Sequence, residues 1–269
     1  MPYQHEMQGS RYELKYLIDE DRAAGVRDFL RSYLVPDEFA DPDTNSYPIH
    51  SLYLDSHDLA LYRGTMDGLK NRFKLRIRFY DGDASHPAFL EIKRRDSDVI
   101  RKQRAAVTRQ GAGQLLANYW PDASQLIDRR PKSVAGFHDF CMLSRAIRAL
   151  GCVYVSYQRE AYVSPDSNEL RVTFDRGLRA GRYQVPDPIA PPASSERSPL
   201  NGVVLEIKFT DRFPRWMHDL ILVFNLTRRP FAKYITCVQT MGEYQMRLAL
   251  AGDGCPARIC APPGRGMCG

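Results

Sequence analysis

Nothing in these 269 residues reads as a membrane span, because no run of about 18 apolar residues occurs. The opening segment, MPYQHEMQGS, is polar and has no apolar centre of the kind a signal peptide carries, so the expected location is the cytoplasm. The glycine loops that cradle phosphates in P-loop and dinucleotide-binding proteins are missing, and so is the G-x-S-x-G of serine hydrolases. The histidines (His5, His50, His57, His86, His138 and His218) show no metal-ligand spacing. Cysteine is sparse. Cys141, Cys152 and Cys237 fall in apolar segments and are expected as reduced core residues, while Cys255, Cys260 and Cys268 lie in the tail CPARICAPPGRGMCG and match no common zinc pattern. No recognisable RNA- or DNA-binding module is present, so nucleic acid is not the expected partner.

What is present is a recurring alternation. Glu13 and Lys15 sit two apart in RYELKYLI, Lys74, Arg76 and Arg78 in FKLRIRFY, and Glu91 and Lys93 in FLEIKRR. Lys102 and Arg104 follow in RKQRAAV, and Glu206 and Lys208 in VVLEIKFT. Residues two apart on a strand share a face, so each segment carries one charged face and one apolar face. Phe73, Leu75, Ile77 and Phe79 supply the apolar face of the most basic segment. A strand of this kind is ordinarily half solvated, with cross-strand ion pairs. Its recurrence on most strands, with bases in excess and a net charge of +6, points instead to charged faces that converge on a polyanion.

Along the chain the pattern predicts a strand over 11–18, then a helix capped by Asp19 and ended by Pro36. A strand IHSLYLDS and a short helix over 57–65 come next, followed by a meander of three strands. Residues 110–150 read as helical. Strands resume with CVYVSYQREAYV and ELRVTFDRGLRA, and a Pro/Ser-rich exposed loop over 186–199 precedes VVLEIKFT. A helix over 214–226, a short apolar segment from Lys233 and a last helix over 239–250 complete the chain. The expected fold is α+β, an antiparallel β tunnel of roughly eight strands with helices packed outside it. Residues 1–250 form one domain in this reading, with 251–269 as a frayed tail.

Lys15, Arg76, Arg78, Lys93, Lys102, Arg104, Arg159, Arg171, Lys208 and Lys233 are the basic candidates for such a lining, with Glu13, Glu91 and Glu206 as its acids. A low-dielectric bore cannot hold so many like charges without counter-ions or a bound anion. Arginine forks and lysine point charges suit phosphate oxygens, and carboxylates beside phosphates suit Mg²⁺ or Mn²⁺. Asp55 and Asp175 read first as turn or salt-bridge residues, with metal-ligand or barrel-rim roles as the alternative, and Trp216 and Tyr234 as core or rim aromatics.

The ordered set RYELKYLI, SLYLDS, KLRIRFY, FLEIKRR, KQR, SYQREAYV, LRVTFDRGL, VVLEIKFT and RRPFAKY resembles the VTC domain. That is the polyphosphate-polymerase domain of the vacuolar transporter chaperone complex, within the triphosphate tunnel metalloenzyme (CYTH-like) superfamily. The resemblance runs from Arg11 to Arg247 and implies an eight-stranded antiparallel tunnel. It assigns phosphate-handling roles to Lys15, Arg76, Arg78, Lys93, Arg159, Arg171 and Lys233, and substrate contacts to Lys102, Arg104 and Tyr157. Lys208, on the same charged face, is expected among the substrate contacts from the alternation alone. Glu206 resembles the family's metal-binding glutamate, with Glu13 and Glu91 as further candidates for Mn²⁺ or Mg²⁺. The implied reaction transfers the terminal phosphate of ATP to a polyphosphate chain.

Two departures bear on the reaction. Triphosphatases of the superfamily open with ExExK, whereas Arg11 replaces the first acid here, which favours the polymerase branch. Ala232 stands where eukaryotic polymerases tend to have serine. Coupling to translocation would fall to a separate membrane-protein partner. A metal-dependent triphosphatase and a non-catalytic polyphosphate-binding module stand as alternatives.

Overall fold

The computed structural model describes residues 11–97, 99–167, 169–183, 196–197, 201–210, 213–243, 245–247 and 250, without the side chains at 11, 196 and 197. The tail cysteines, the side chain of Arg11 and most of the Pro/Ser-rich stretch lie outside the described residues.

The alternating segments all form strands. They are β1 (Arg11–Ile18), β3 (Tyr47–Asp55), β4 (Asn71–Phe79), β5 (Ala88–Asp96), β6 (Val99–Val107), β7 (Leu150–Val163), β8 (Leu170–Arg182) and β10 (Val203–Thr210). Two short strands, β2 (Val35–Pro36) and β9 (Glu196–Arg197), pair with β7 and β8. The long strands lie in the order β1-β10-β8-β7-β3-β4-β5-β6, and every pairing is antiparallel.

Each strand turns its apolar side outward under helices. The helices are α1 (Glu20–Leu30), α2 (Ala60–Met66), α3 (Arg109–Leu116), α4 (Pro131–Ala146), α5 (Arg215–Val223) and α6 (Lys233–Met241). Leu75, Ile77, Leu90 and Ile92 pack under Ala112 and Leu115 of α3 and Phe137 and Phe140 of α4. Val172, Phe174, Leu205 and Ile207 pack under Val26 and Leu30 of α1 and Met217 and Leu220 of α5. Asp19 caps α1 as expected, accepting from the Arg22 amide at 2.7 Å.

Two expectations need correction. Lys233 and Tyr234 open α6 instead of a separate apolar segment, while the described residues at 243, 245–247 and 250 are helical, in keeping with the last expected helix. Nor is the inner face charged throughout. Tyr234, Ile235, Cys237 and Val238 of α6 pack on Ile49, Tyr53, Val155 and Tyr157, so that an apolar helix fills part of the concave side.

The sheet curls without completing its hydrogen-bonded ring. β1 and β6 end the path unpaired with each other, and across this seam Lys93 on β5 meets Glu13 on β1 at 2.9 Å. The outer edge of β1 is partly covered, since the Arg229 amide donates to the Lys15 carbonyl at 2.9 Å.

Gly202 sets a register on which the interior depends. At φ 135° its position would hold a Cβ only 2.7 Å from the Ile18 carbonyl, so glycine alone lets β10 start opposite Ile18. With Ile18 opposite Val203, Lys15 falls opposite Glu206 and Glu13 opposite Lys208.

Candidate functional site

Antiparallel register converts the i, i+2 charges into rows across the concave face. One row runs Tyr53–Arg76–Glu91–Arg104, and the next Lys74–Lys93–Lys102. On the other wall Lys15 faces Glu206, Lys208 faces Arg171, and Arg159 faces Asp175.

Glu206 lies 2.7 Å from the Lys233 ammonium, 2.9 Å from Lys208, 3.2 Å from Lys15 and 3.7 Å from an Arg159 nitrogen. Asp175 receives Arg159 in a two-pronged contact at 2.6 and 2.7 Å and meets Lys233 at 2.6 Å. Lys15 links this group to Glu13 at 3.3 Å. Tyr157 accepts from Arg159 at 3.4 Å through its hydroxyl.

Glu91 gathers a second group. Arg76 reaches it at 2.6 Å, Lys102 at 2.7 Å, Arg104 at 3.5 Å and Arg78 at 3.9 Å. Arg78 is buried and donates to the Ser51 hydroxyl at 3.3 Å. Arg171 sits apart from both groups, bound to Asp37 and donating to the Tyr47 hydroxyl at 2.9 Å.

Lys74 differs from the rest of the lining, since among the described residues it has no carboxylate partner. Its ammonium lies 5.9 Å from the centre of the Tyr234 ring. Burial, reinforced by Lys93, Lys15, Arg72 and Arg76, pulls its pKa down to about 7. Burial likewise lowers Lys208 to about 8, with Arg159 adding to the effect and Glu206 opposing it. Lys102 falls to about 7 by burial against the pull of Glu91, although its side chain is 45% exposed and water moderates the effect. Lys233 goes the other way. Burial works against its charge, but Asp175 and Glu206 together raise its pKa.

The interior therefore carries cations that are only part-protonated near neutral pH, waiting for negative charge. Affinity for tripolyphosphate is expected to fall several-fold as pH rises from 7 to 9, because Lys74 and Lys208 lose their protons in that window. Isothermal titration at fixed ionic strength measures it. The contribution of these lysines to stability of the ligand-free chain runs in the opposite sense. They bind fewer protons folded than unfolded between about pH 7 and the ordinary lysine value of about 10.4, so their own contribution to stability rises with pH across that interval. The buried Cys141, Cys152 and Cys237 thiols, whose pKa values burial raises, contribute in the opposite direction.

The expected residues are largely brought together, in two groups rather than one. The carboxylates proposed as metal ligands divide between them: Glu13 and Glu206 share Lys15, while Glu91 shares no cation with either among the described residues. No cluster of three acid, histidine or cysteine side chains suited to a metal occurs among the described residues. Mg²⁺ and Mn²⁺ commonly take one or two carboxylates and complete their shell from substrate phosphates, a requirement that Glu206 and Glu13 fit. Sequence reasoning gave no site role to Lys74 or Tyr53. Lys74 stands two residues before Arg76, so the alternation itself marks it. Asp175 is a salt-bridge residue, as read, but its partners lie on the inner wall.

The family model of the VTC domain matches residues 10–242. This chain belongs to the VTC domain family. Membership ties it to polyphosphate-related function and agrees with the antiparallel α+β architecture. No curated protein matches the sequence. Among solved structures, a candidate adenylate cyclase from Bacillus halodurans aligns with 87% of this VTC chain and 98% of its own, at 11% identity and a TM-score of 0.48. Among the described residues of the VTC chain, no helix is long and apolar enough to cross a membrane.

Proposed function

We propose that this VTC domain is an ATP-dependent polyphosphate polymerase. The observation that carries the reading is the convergence of Lys and Arg side chains from β1, β4, β5, β6, β7, β8, β10 and α6 on one concave face, in excess over the acids beside them. A terminal phosphate oxygen of the polymer attacks the γ-phosphorus of ATP. The bond from that phosphorus to the β–γ bridging oxygen breaks, ADP leaves, and the chain is longer by one phosphate.

Because the nucleophile is itself a phosphate oxygen, the protein need supply only alignment and charge. Arg76, Arg78 and Lys102 are suited to spread the charge of one phosphate group. Lys15, Lys208, Lys233 and Arg159 are suited to another across the channel. Glu206, with Glu13, would hold Mn²⁺ or Mg²⁺. The metal would add Lewis-acid charge at the transferring phosphoryl group. A cytoplasmic location, where ATP is abundant, goes with this reading.

Purified protein incubated with ATP and Mn²⁺, with and without a short polyphosphate primer, is expected to release ADP and to lengthen polyphosphate on a gel. Phosphate release without chain growth would assign a triphosphatase instead. Tight, salt-sensitive polyphosphate binding without turnover would leave a binding module.

A further inference from the structure

A channel that reads only phosphates cannot tell a nucleotide donor from the polymer it extends, since both present a run of phosphoryl groups. The geometry points to a second subsite, for the base of a nucleoside triphosphate, formed by the rings of Tyr47, Tyr80 and Phe89 with the guanidinium of Arg104. It rests on the reading that the lining cations hold phosphates.

Register places these residues beside that lining. Phe89 lies opposite Arg78 and two residues before Glu91, Tyr80 follows Arg78 by two, and Tyr47 lies opposite Arg159. The other inner-face tyrosines, Tyr53, Tyr157 and Tyr234, are buried, whereas Tyr47, Tyr80 and Phe89 are only half-buried.

The three form a continuous collar. Tyr80 meets Phe89 at 5.8 Å between centroids and Tyr47 at 6.4 Å, edge to face in both cases. Arg104 lies over Phe89 at 3.6 Å and donates to the Tyr80 hydroxyl at 3.1 Å, while also facing Glu91 at 3.5 Å. One side chain thus belongs to both the collar and the phosphate lining. Flat rings and a planar guanidinium next to phosphate-binding cations are what a base stacks on, and stacking of this sort tolerates any base while favouring the larger surface of a purine. Inorganic polyphosphate has nothing to place there.

Affinities of ATP and of tripolyphosphate for the full chain, measured by calorimetry without metal, test the subsite. Phe89→Ala and Tyr80→Leu are expected to weaken ATP roughly tenfold while leaving tripolyphosphate within about twofold. Phe89→Leu keeps apolar volume without the ring and should repeat the result should Phe89→Ala fold poorly by thermal melting. Tyr80→Phe, which keeps the ring, should keep the ATP affinity. Equal weakening of both ligands, or no change in either, overturns the inference and leaves the phosphate site standing. Wild-type protein that binds neither ligand overturns the underlying reading as well.

Discussion

Glu206→Gln is expected to reduce turnover at least a hundredfold while tightening metal-free tripolyphosphate binding several-fold. The two effects have one origin. Glu206 is buried and sits under Lys15, Lys208, Lys233 and Arg159, so neutralising it without changing its size removes one negative charge shared by four cations. Burial alone would raise the pKa of this carboxyl, but Lys15, Lys208 and Lys233 hold it well below the usual carboxylate range, and it stays ionised at any pH where the protein works. A bare polyanion then meets a more positive wall and binds better. Under the proposed reaction, catalysis would lose both the proposed metal ligand and the anchor that aims those cations, an electrostatic loss on the order of 10²–10³ in rate. Paired measurements of kcat with Mn²⁺ and of Kd without metal decide it. Unchanged turnover would remove the metal role from Glu206, and weaker metal-free binding would show that the carboxylate positions the cations more than it opposes the ligand.

Asp55→Ala is expected to cost about 3–5 kcal/mol of folding stability, read from urea unfolding. Asp55 is fully buried and accepts from the amides of Ser56 and Leu61 at 2.8 Å and of Tyr62 at 2.9 Å, and from the Tyr234 hydroxyl. Alanine would leave these donors without an acceptor where water has little access. The damage should reach function too. Tyr234 follows Lys233 at the start of α6 and stacks on Tyr53 at 4.8 Å, and Tyr53 in turn receives Arg76 at 3.2 Å. Losing the Asp55 contact loosens supports of both cation groups, so activity of the folded fraction should fall along with stability. Asp55→Asn, whose single amide oxygen can still accept from Ser56 and Leu61 but whose NH2 would face the Tyr62 amide, should recover only part of the stability. A destabilisation below about 1 kcal/mol for Asp55→Ala would show that water replaces the carboxylate.

The strands were legible because alternation is a local property: Lys15, Arg76, Arg78, Glu91 and Lys93 announce by parity alone which face they share. That those faces converge also followed, since so many uncompensated cations on separate strands need a common anion. The order of strands around the wall did not follow, and that order separates Glu91 from Glu206. Helix α6 was misjudged because the signal for Tyr234, Ile235, Cys237 and Val238 is tertiary. Short apolar runs fit a strand or a buried helix equally well until the surface they cover is known. The open ends of the sheet were illegible for a related reason, because closure depends on strand tilt and stagger, quantities that no single segment encodes.

The unzipped join between β1 and β6 has a consequence for loading. Where a complete barrel would have to break a backbone ladder to open sideways, this wall is clasped there by the Glu13–Lys93 contact, in which the lysine is 40% exposed. A half-solvated ion pair is a weak latch, worth about 1 kcal/mol or less, and it loosens as salt rises. Under the proposed function, such a seam would let a long polymer be laid in along its length instead of being threaded from a free end.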